Sequence, residues 1–84
     1  MTAHLPNVAA IIADVLGLGA AHGIGPATRL CEDLATDSLD RQCIAVDCDM
    51  AFGIEIPDDH VAEWLTVADI AATVARLTEE RVAA

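Results

Sequence analysis

A single serine, Ser38, occurs in this chain, directly after Asp37 and directly before the helix-like run from Leu39 to Phe52. Both Asp37 and Ser38 carry side-chain oxygens that accept hydrogen bonds from the free amides at a helix start, so either one can cap the helix. For Ser38 a capping hydroxyl is the simplest reading of the local chemistry. The same position suits a second role. A helix N-terminus carries partial positive charge and unpaired N–H groups, and it tolerates a bound or attached phosphate. A phosphoester on Ser38 would therefore sit where its charge costs least. Other chemistries find little support. Ser38 paired with His4, His22 or His60 as a hydrolase has neither a nucleophile elbow nor room for an oxyanion site. Cys31, Cys43 and Cys48 with those histidines include no CxxC and no His pair at zinc-ligand spacing. The stretch "GLGAAHG" has the wrong spacing for a dinucleotide loop and follows a helix rather than a strand.

The elements that must position Ser38 are helices. Leu5, Val8, Ile12, Val15 and Leu16 follow the 3.6-residue period, which predicts a first helix over Leu5–Leu16 with Pro6 in its first turn and Gly17 at its C-terminal cap. A long connection follows, with Gly17, Gly19, Gly23, Gly25 and Pro26. Its apolar residues Leu18, Ile24, Leu30, Cys31 and Leu34 imply a loop packed on the core. The second helix is expected from about Ser38 to Phe52, stopped by Gly53. "GIEIP" reads as a short extended link. Pro57 and Asp58/Asp59 start a brief third helix through about Glu63. Thr66 caps a fourth helix and forms a capping-box pair with Asp69, while Val67, Ile70, Val74 and Leu77 make its buried stripe. No strand pattern is present. The expected fold is all-α: a small four-helix bundle of three longer helices and a short third one, with a long first loop, forming a single domain over residues 1–84.

Composition bounds the partners. The chain has 84 residues, 55% of them hydrophobic, and this is enough to fold. A domain this small builds a modest core rather than a deep catalytic cavity. Aromatics are limited to Phe52 and Trp64, so Ala, Leu, Ile and Val must fill the interior, with Trp64 expected in the core where the third and fourth helices join. Fourteen acidic residues against four arginines give a formal net charge of −10. That balance excludes nucleic acid, whose binding needs Lys/Arg neutralisation of phosphates, and anionic membrane surfaces by the same sign argument. It favours basic protein surfaces. No apolar run reaches the length of a membrane span. The three cysteines and the absence of a basic n-region in Met1–Pro6 predict a cytoplasmic protein with reduced thiols packed as small hydrophobes.

The second helix carries two apolar faces. At about 100° per residue, Ile44, Cys48, Ala51 and Phe52 cluster on one side, and Leu39, Cys43, Val46 and Met50 roughly opposite. An amphipathic helix ordinarily has one apolar stripe. With too little protein to cover both, the Ile44 side is expected inside and the Leu39–Met50 strip outside. Flanked by Asp40, Asp47 and Asp49, that strip reads as a docking surface.

The run Asp37-Ser38-Leu39-Asp40 resembles the "DSL" attachment motif of acyl carrier proteins. "LCEDLATDSLD" is similar to the stretch leading into that motif, "FGIEIPDD" to the family's link between second and third helices, and "TVADI" to the start of its fourth. The likeness runs in register from about Leu30 to Leu77, and the first helix matches by pattern. "EDL", "DSLD", an aromatic and "IEIPDD" at this spacing are far more specific than "DSL" alone. The resemblance implies that Ser38 receives 4′-phosphopantetheine from coenzyme A through a phosphopantetheinyl transferase. It implies that acyl intermediates ride on the arm's thiol as thioesters, and that the protein catalyses no reaction itself. Implied partners are acyl- or aminoacyl-loading ligases, synthases and acyltransferases of fatty acid, lipid or secondary-metabolite synthesis. They would meet a monomer through a basic and apolar patch that engages Asp37, Leu39, Asp40, Cys43, Val46, Asp47 and Met50. Arg41, Cys43 and Met50 depart from the family's more acidic second helix and point to a specialised carrier. Two readings compete: an aminoacyl or peptidyl carrier of the same fold, and an unmodified helical adaptor.

Overall fold

The computed structural model describes residues 4–19 and 23–83, with the side chains of 81–83 left aside; His22 lies outside the described residues. Four helices follow one another: α1 (Leu5–Leu16), α2 (Ser38–Phe52), α3 (Asp58–Glu63) and α4 (Val67–Ala83). The all-α bundle with a long first connection and a short third helix is as expected. Helix α1 packs against α2 and α4, and α3 packs against α2.

Helix α1 buries Val8, Ala9, Ile12 and Ala13, one stripe at 3.6-residue spacing, with Leu5, Val15 and Leu16 half-buried at its margins. It ends at Gly17, whose φ of 69° turns the chain left-handed, and Leu18 N–H returns to the Ala13 carbonyl at 2.9 Å. Gly53 closes α2 in the same way, with φ 65°. Side chains carrying a Cβ disfavour that conformation, which is why glycine stands at both helix ends.

The interior is aliphatic. Val8, Ile12, Leu30, Ile44, Cys48, Val67, Ile70 and Val74 are fully shielded from solvent, and Trp64 joins them at the α3–α4 junction. The Trp64 indole N–H donates to Thr73 Oγ1 at 3.0 Å, and the Thr73 hydroxyl donates to the Asp69 carbonyl at 3.1 Å, so the one polar atom of the indole is satisfied. Leu77, expected in the α4 stripe, is half-buried.

The first loop is tied to the start of α4. The Val67 and Ala68 amides, which lack intrahelical partners, donate to the carbonyls of Thr28 (3.0 Å) and Pro26 (3.0 Å). Thr66 and Asp69 supply the expected capping box: Asp69 Oδ2 accepts from Thr66 N–H at 3.0 Å and Asp69 N–H donates to Thr66 Oγ1 at 3.4 Å. Leu30 N–H donates to the Leu65 carbonyl at 2.9 Å, beside a one-pair antiparallel bridge between Arg29 and Thr66. No residue pattern announces that bridge, because a single pair needs no alternation. The packed-loop expectation holds for Leu30, Ile24 and Leu34 but fails for Leu18 and Cys31, which are exposed. The loop makes its contact at Leu30 and lets the flanking residues turn outward.

Candidate carrier site at the start of the second helix

The choice between Asp37 and Ser38 as cap falls to Asp37. Asp37 Oδ1 accepts the Asp40 N–H at 2.8 Å, and Asp40 Oδ2 accepts the Asp37 N–H at 3.2 Å, a reciprocal box built from two aspartates. Ser38 is thereby the first residue inside the helix. It is exposed, and its hydroxyl has no hydrogen-bond partner among the described residues. Capping therefore does not explain this serine. The box also frees it, since the helix start is already satisfied by its neighbour and Ser38 Oγ remains open to chemistry.

What precedes the box holds it in place. Thr36 is buried, and both its N–H and its Oγ1–H donate to the Leu30 carbonyl at 3.0 Å. Ala35, with φ of 55°, sits in the left-handed region and turns the chain from the 29–34 segment toward Thr36. Leu30 is recognisable from sequence only as a core residue, and Thr36 carries no sequence signal that its bond goes to that carbonyl. A threonine just before an acidic cap in "ATDSLD" is the one local hint, because a hydroxyl entering a helix usually bonds nearby backbone.

The two faces of α2 separate as expected, with two corrections. Ile44 and Cys48 point inward together with Ala45, and Phe52 is half-buried, its ring edge-on to His4 at 5.2 Å between centroids. Ala51 is exposed instead of inside. The centre of the buried face lies among Ile44, Ala45 and Cys48, and Ala51 falls to one side of it in the last turn. On the far side Leu39, Val46 and Met50 are 69%, 53% and 74% exposed, and Cys43 is exposed with them. Asp40 and Asp47 are half-buried beside this strip. Asp49, expected as a third flanking acid, turns to the α2–α3 link instead. Its Oδ1 accepts the Ile56 N–H at 2.9 Å, which pins "GIEIP" so that Ile56 enters the core.

The cysteines divide accordingly. Cys43 is exposed, as its place in the outer strip of α2 predicts, and Cys48 is buried; Cys31 is exposed too, so the three thiols do not all pack as small hydrophobes. Burial, with added repulsion from the Asp49 and Asp47 carboxylates, pushes the Cys48 thiol up to about 12 from an ordinary 9.0. Among the described residues no group of three or more His, Cys, Asp or Glu could hold a metal ion, and no helix is long and apolar enough to cross a membrane.

A family model described as the phosphopantetheine attachment site matches residues 7–74, from the first turn of α1 to the middle of α4, and gives the class. The acyl carrier protein of Thermobifida fusca is 39% identical over 66 residues, 79% of this chain and 82% of that protein. The acyl carrier protein of Thermosynechococcus vestitus is 36% identical over 66 residues, 79% of this chain and 80% of its own length. The meromycolate extension acyl carrier protein of Mycobacterium tuberculosis is 36% identical over 76 residues, which are 90% of this chain and 65% of that longer protein. The chain thus spans about two thirds of the length of these mycobacterial relatives. It belongs to the acyl carrier protein family, whose prosthetic group is 4′-phosphopantetheine. The residues present fit such a group. An exposed, unpartnered serine hydroxyl stands at the first position of a helix, beside the Ser38 and Leu39 amides, which have no acceptor among the described residues.

Two outcomes check this geometry. Asp37→Ala is expected to lower stability by about 1 kcal/mol through loss of the cap. Ser38→Ala should stay within about 0.5 kcal/mol of the parent in urea denaturation, and a larger loss would return Ser38 to a capping role. With a thiol reagent at pH 8, the apo chain should show two fast cysteines and one, Cys48, that reacts only on unfolding. The raised thiol also sets an alkaline limit. Its contribution to stability is complete below the unfolded thiol's value near 9.0 and is lost as pH climbs toward about 12.

Proposed function

We propose that this chain carries acyl groups as thioesters on a 4′-phosphopantetheine arm anchored at Ser38 and delivers them to enzymes of fatty acid, lipid or secondary-metabolite synthesis. The observation that carries the reading is the position of the only serine: exposed, unbonded and first in α2, with its helix capped by another residue. When bound, the arm supplies a terminal thiol able to hold an acyl group as a thioester. The chain's own residues divide the remaining work. Ser38 Oγ holds the phosphodiester. Asp37 and Asp40 lock the turn that points the serine outward. Leu39, Cys43, Val46 and Met50, beside Asp40 and Asp47, form the face that a partner's basic and apolar patch covers. Partners are a phosphopantetheinyl transferase, which installs the arm, and the loading ligases, synthases or acyltransferases that use it. The chain itself catalyses no step and works as a monomer whose tether keeps cargo at high effective concentration near each docked enzyme.

An acyl cargo is favoured over an aminoacyl or peptidyl one because the relatives named above are acyl carriers, one of them named for meromycolate extension. An unmodified adaptor would have no use for a free hydroxyl in this motif.

Intact mass spectrometry after incubation with coenzyme A and a broad transferase is expected to show one added arm on the wild-type chain and none on Ser38→Ala. An arm that persists on Ser38→Ala removes Ser38 as the anchor. For the docking face, Met50→Asp on the loaded protein should slow acyl transfer to a partner at least tenfold while leaving the unfolding midpoint nearly unchanged. A strongly destabilised Met50→Asp would mean that the strip is core.

A further inference from the structure

Trp64 stands between two openings in the surface. One cleft, of about 460 Å³, is lined by Arg41, Ala62, Leu65 and Thr66 as well as by Trp64. A second, of about 300 Å³, is lined by His60, Glu63, Thr73 and Arg76 together with Trp64. Of the residues lining the two, Trp64 alone is common to both. It is nevertheless 4% exposed, so the indole is a partition one residue thick, with the sealed side chains of Val67, Ile70 and Val74 in the same core.

The partition is fixed from several directions. The Trp64 N–H donates to the Val61 carbonyl at 3.3 Å, and the next amide, Leu65 N–H, donates to Asp69 Oδ2 at 2.8 Å. The Leu65 carbonyl accepts the Leu30 N–H, so the backbone on that side is held by the first loop. The indole N–H donates to Thr73 Oγ1 at 3.0 Å, and the Thr73 hydroxyl is itself spent on the Asp69 carbonyl at 3.1 Å. Helix α3 has six residues and packs on α2; the indole bond is what ties its end to α4. A helix that short has few bonds of its own, so this junction is where the bundle would part most easily to admit a guest. Parting it there strips a buried N–H of its acceptor and breaks a close-packed interior at its largest side chain.

Given Ser38 as the anchor of an acyl-bearing arm, we propose that Trp64 is a specificity-determining residue, a fixed wall at the α3–α4 junction that keeps the acyl chain out of the helical interior. The cargo stays outside the bundle. A long apolar chain is then sheltered by the partner enzyme and not by this carrier.

The test installs butyryl, octanoyl and dodecanoyl arms from the corresponding acyl-coenzyme A, with intact mass confirming each loading. Three readouts follow chain length: the urea unfolding midpoint, the rate at which hydroxylamine releases the thioester, and the emission of Trp64, the single tryptophan of the chain. In the wild type the midpoint and emission are expected to stay the same for all three arms, and release rates to agree within twofold. In Trp64→Leu the space left by the indole is open to the chain. Dodecanoyl release should then be at least fivefold slower than butyryl release, and the midpoint should rise with chain length. Thr73→Val keeps the indole and removes its acceptor. It should show the same trend to a smaller degree, with an emission shift on dodecanoyl loading, and it carries the comparison if Trp64→Leu does not fold. A wild-type midpoint or emission that tracks chain length overturns the proposal and leaves Ser38 standing as the anchor. Length-independent release in whichever variant folds overturns Trp64 as the wall. A wild-type chain that gains no mass overturns the anchor, and this inference with it.

Discussion

The Leu30 backbone is the constraint on which the rest of the structure depends. Its side chain is fully buried, its N–H is bonded to the Leu65 carbonyl, and its carbonyl accepts both the amide and the hydroxyl of Thr36. Through one residue, the capped start of α4 is joined to the approach to α2. A buried carbonyl left unpaired is costly, so the two Thr36 donors and the Leu65 acceptor fix each other. The Asp37–Asp40 box follows directly, and Ser38 follows the box. A twenty-one-residue connection between α1 and α2 would ordinarily leave the next helix loosely placed. Here the chain is held at its middle, and the serine's position is set by packing on a different helix.

That arrangement explains how so small a core supports a precise surface site. The interior is aliphatic, with Trp64 as its one large aromatic and its N–H satisfied by Thr73. Acids lie outside it and have structural employment before any partner arrives: Asp37 and Asp40 at the start of α2, Asp49 on the α2–α3 link, and Asp69 at the start of α4. The part of the negative face free for recognition is correspondingly narrower than the charge count suggests. Asp47 and the apolar strip Leu39–Met50 remain as the distinctive surface of α2, and Arg41 as its distinctive cation.

The helices were legible because each announces its own ends. Pro6 and Gly17 bound α1, Asp37 and Gly53 bound α2, and Thr66 with Asp69 starts α4; these signals act within one turn of chain and need no tertiary partner. The candidate anchor was legible for a related reason, since a lone serine within "DSLD" is a local pattern. The inward face of α2 was less so. Ile44 and Cys48 were read correctly, but Ala51, expected inside, is exposed, and Ala45, assigned to neither face, is buried, because helical spacing gives direction around the axis and not where the neighbouring helix ends.

The sequence by itself determined the helical segments, their caps and the motif that singles out Ser38, since all of these rest on interactions between residues a few positions apart. The tertiary structure alone decided that Thr36 and Leu30 anchor the approach to α2, that Asp49 turns from the surface to the link, and that Arg41 is left without a carboxylate beside a cleft. Each of these depends on groups brought together across the fold or on competition among neighbours for the same N–H. Such outcomes are settled by hydrogen-bond geometry in three dimensions, which residue order alone does not encode.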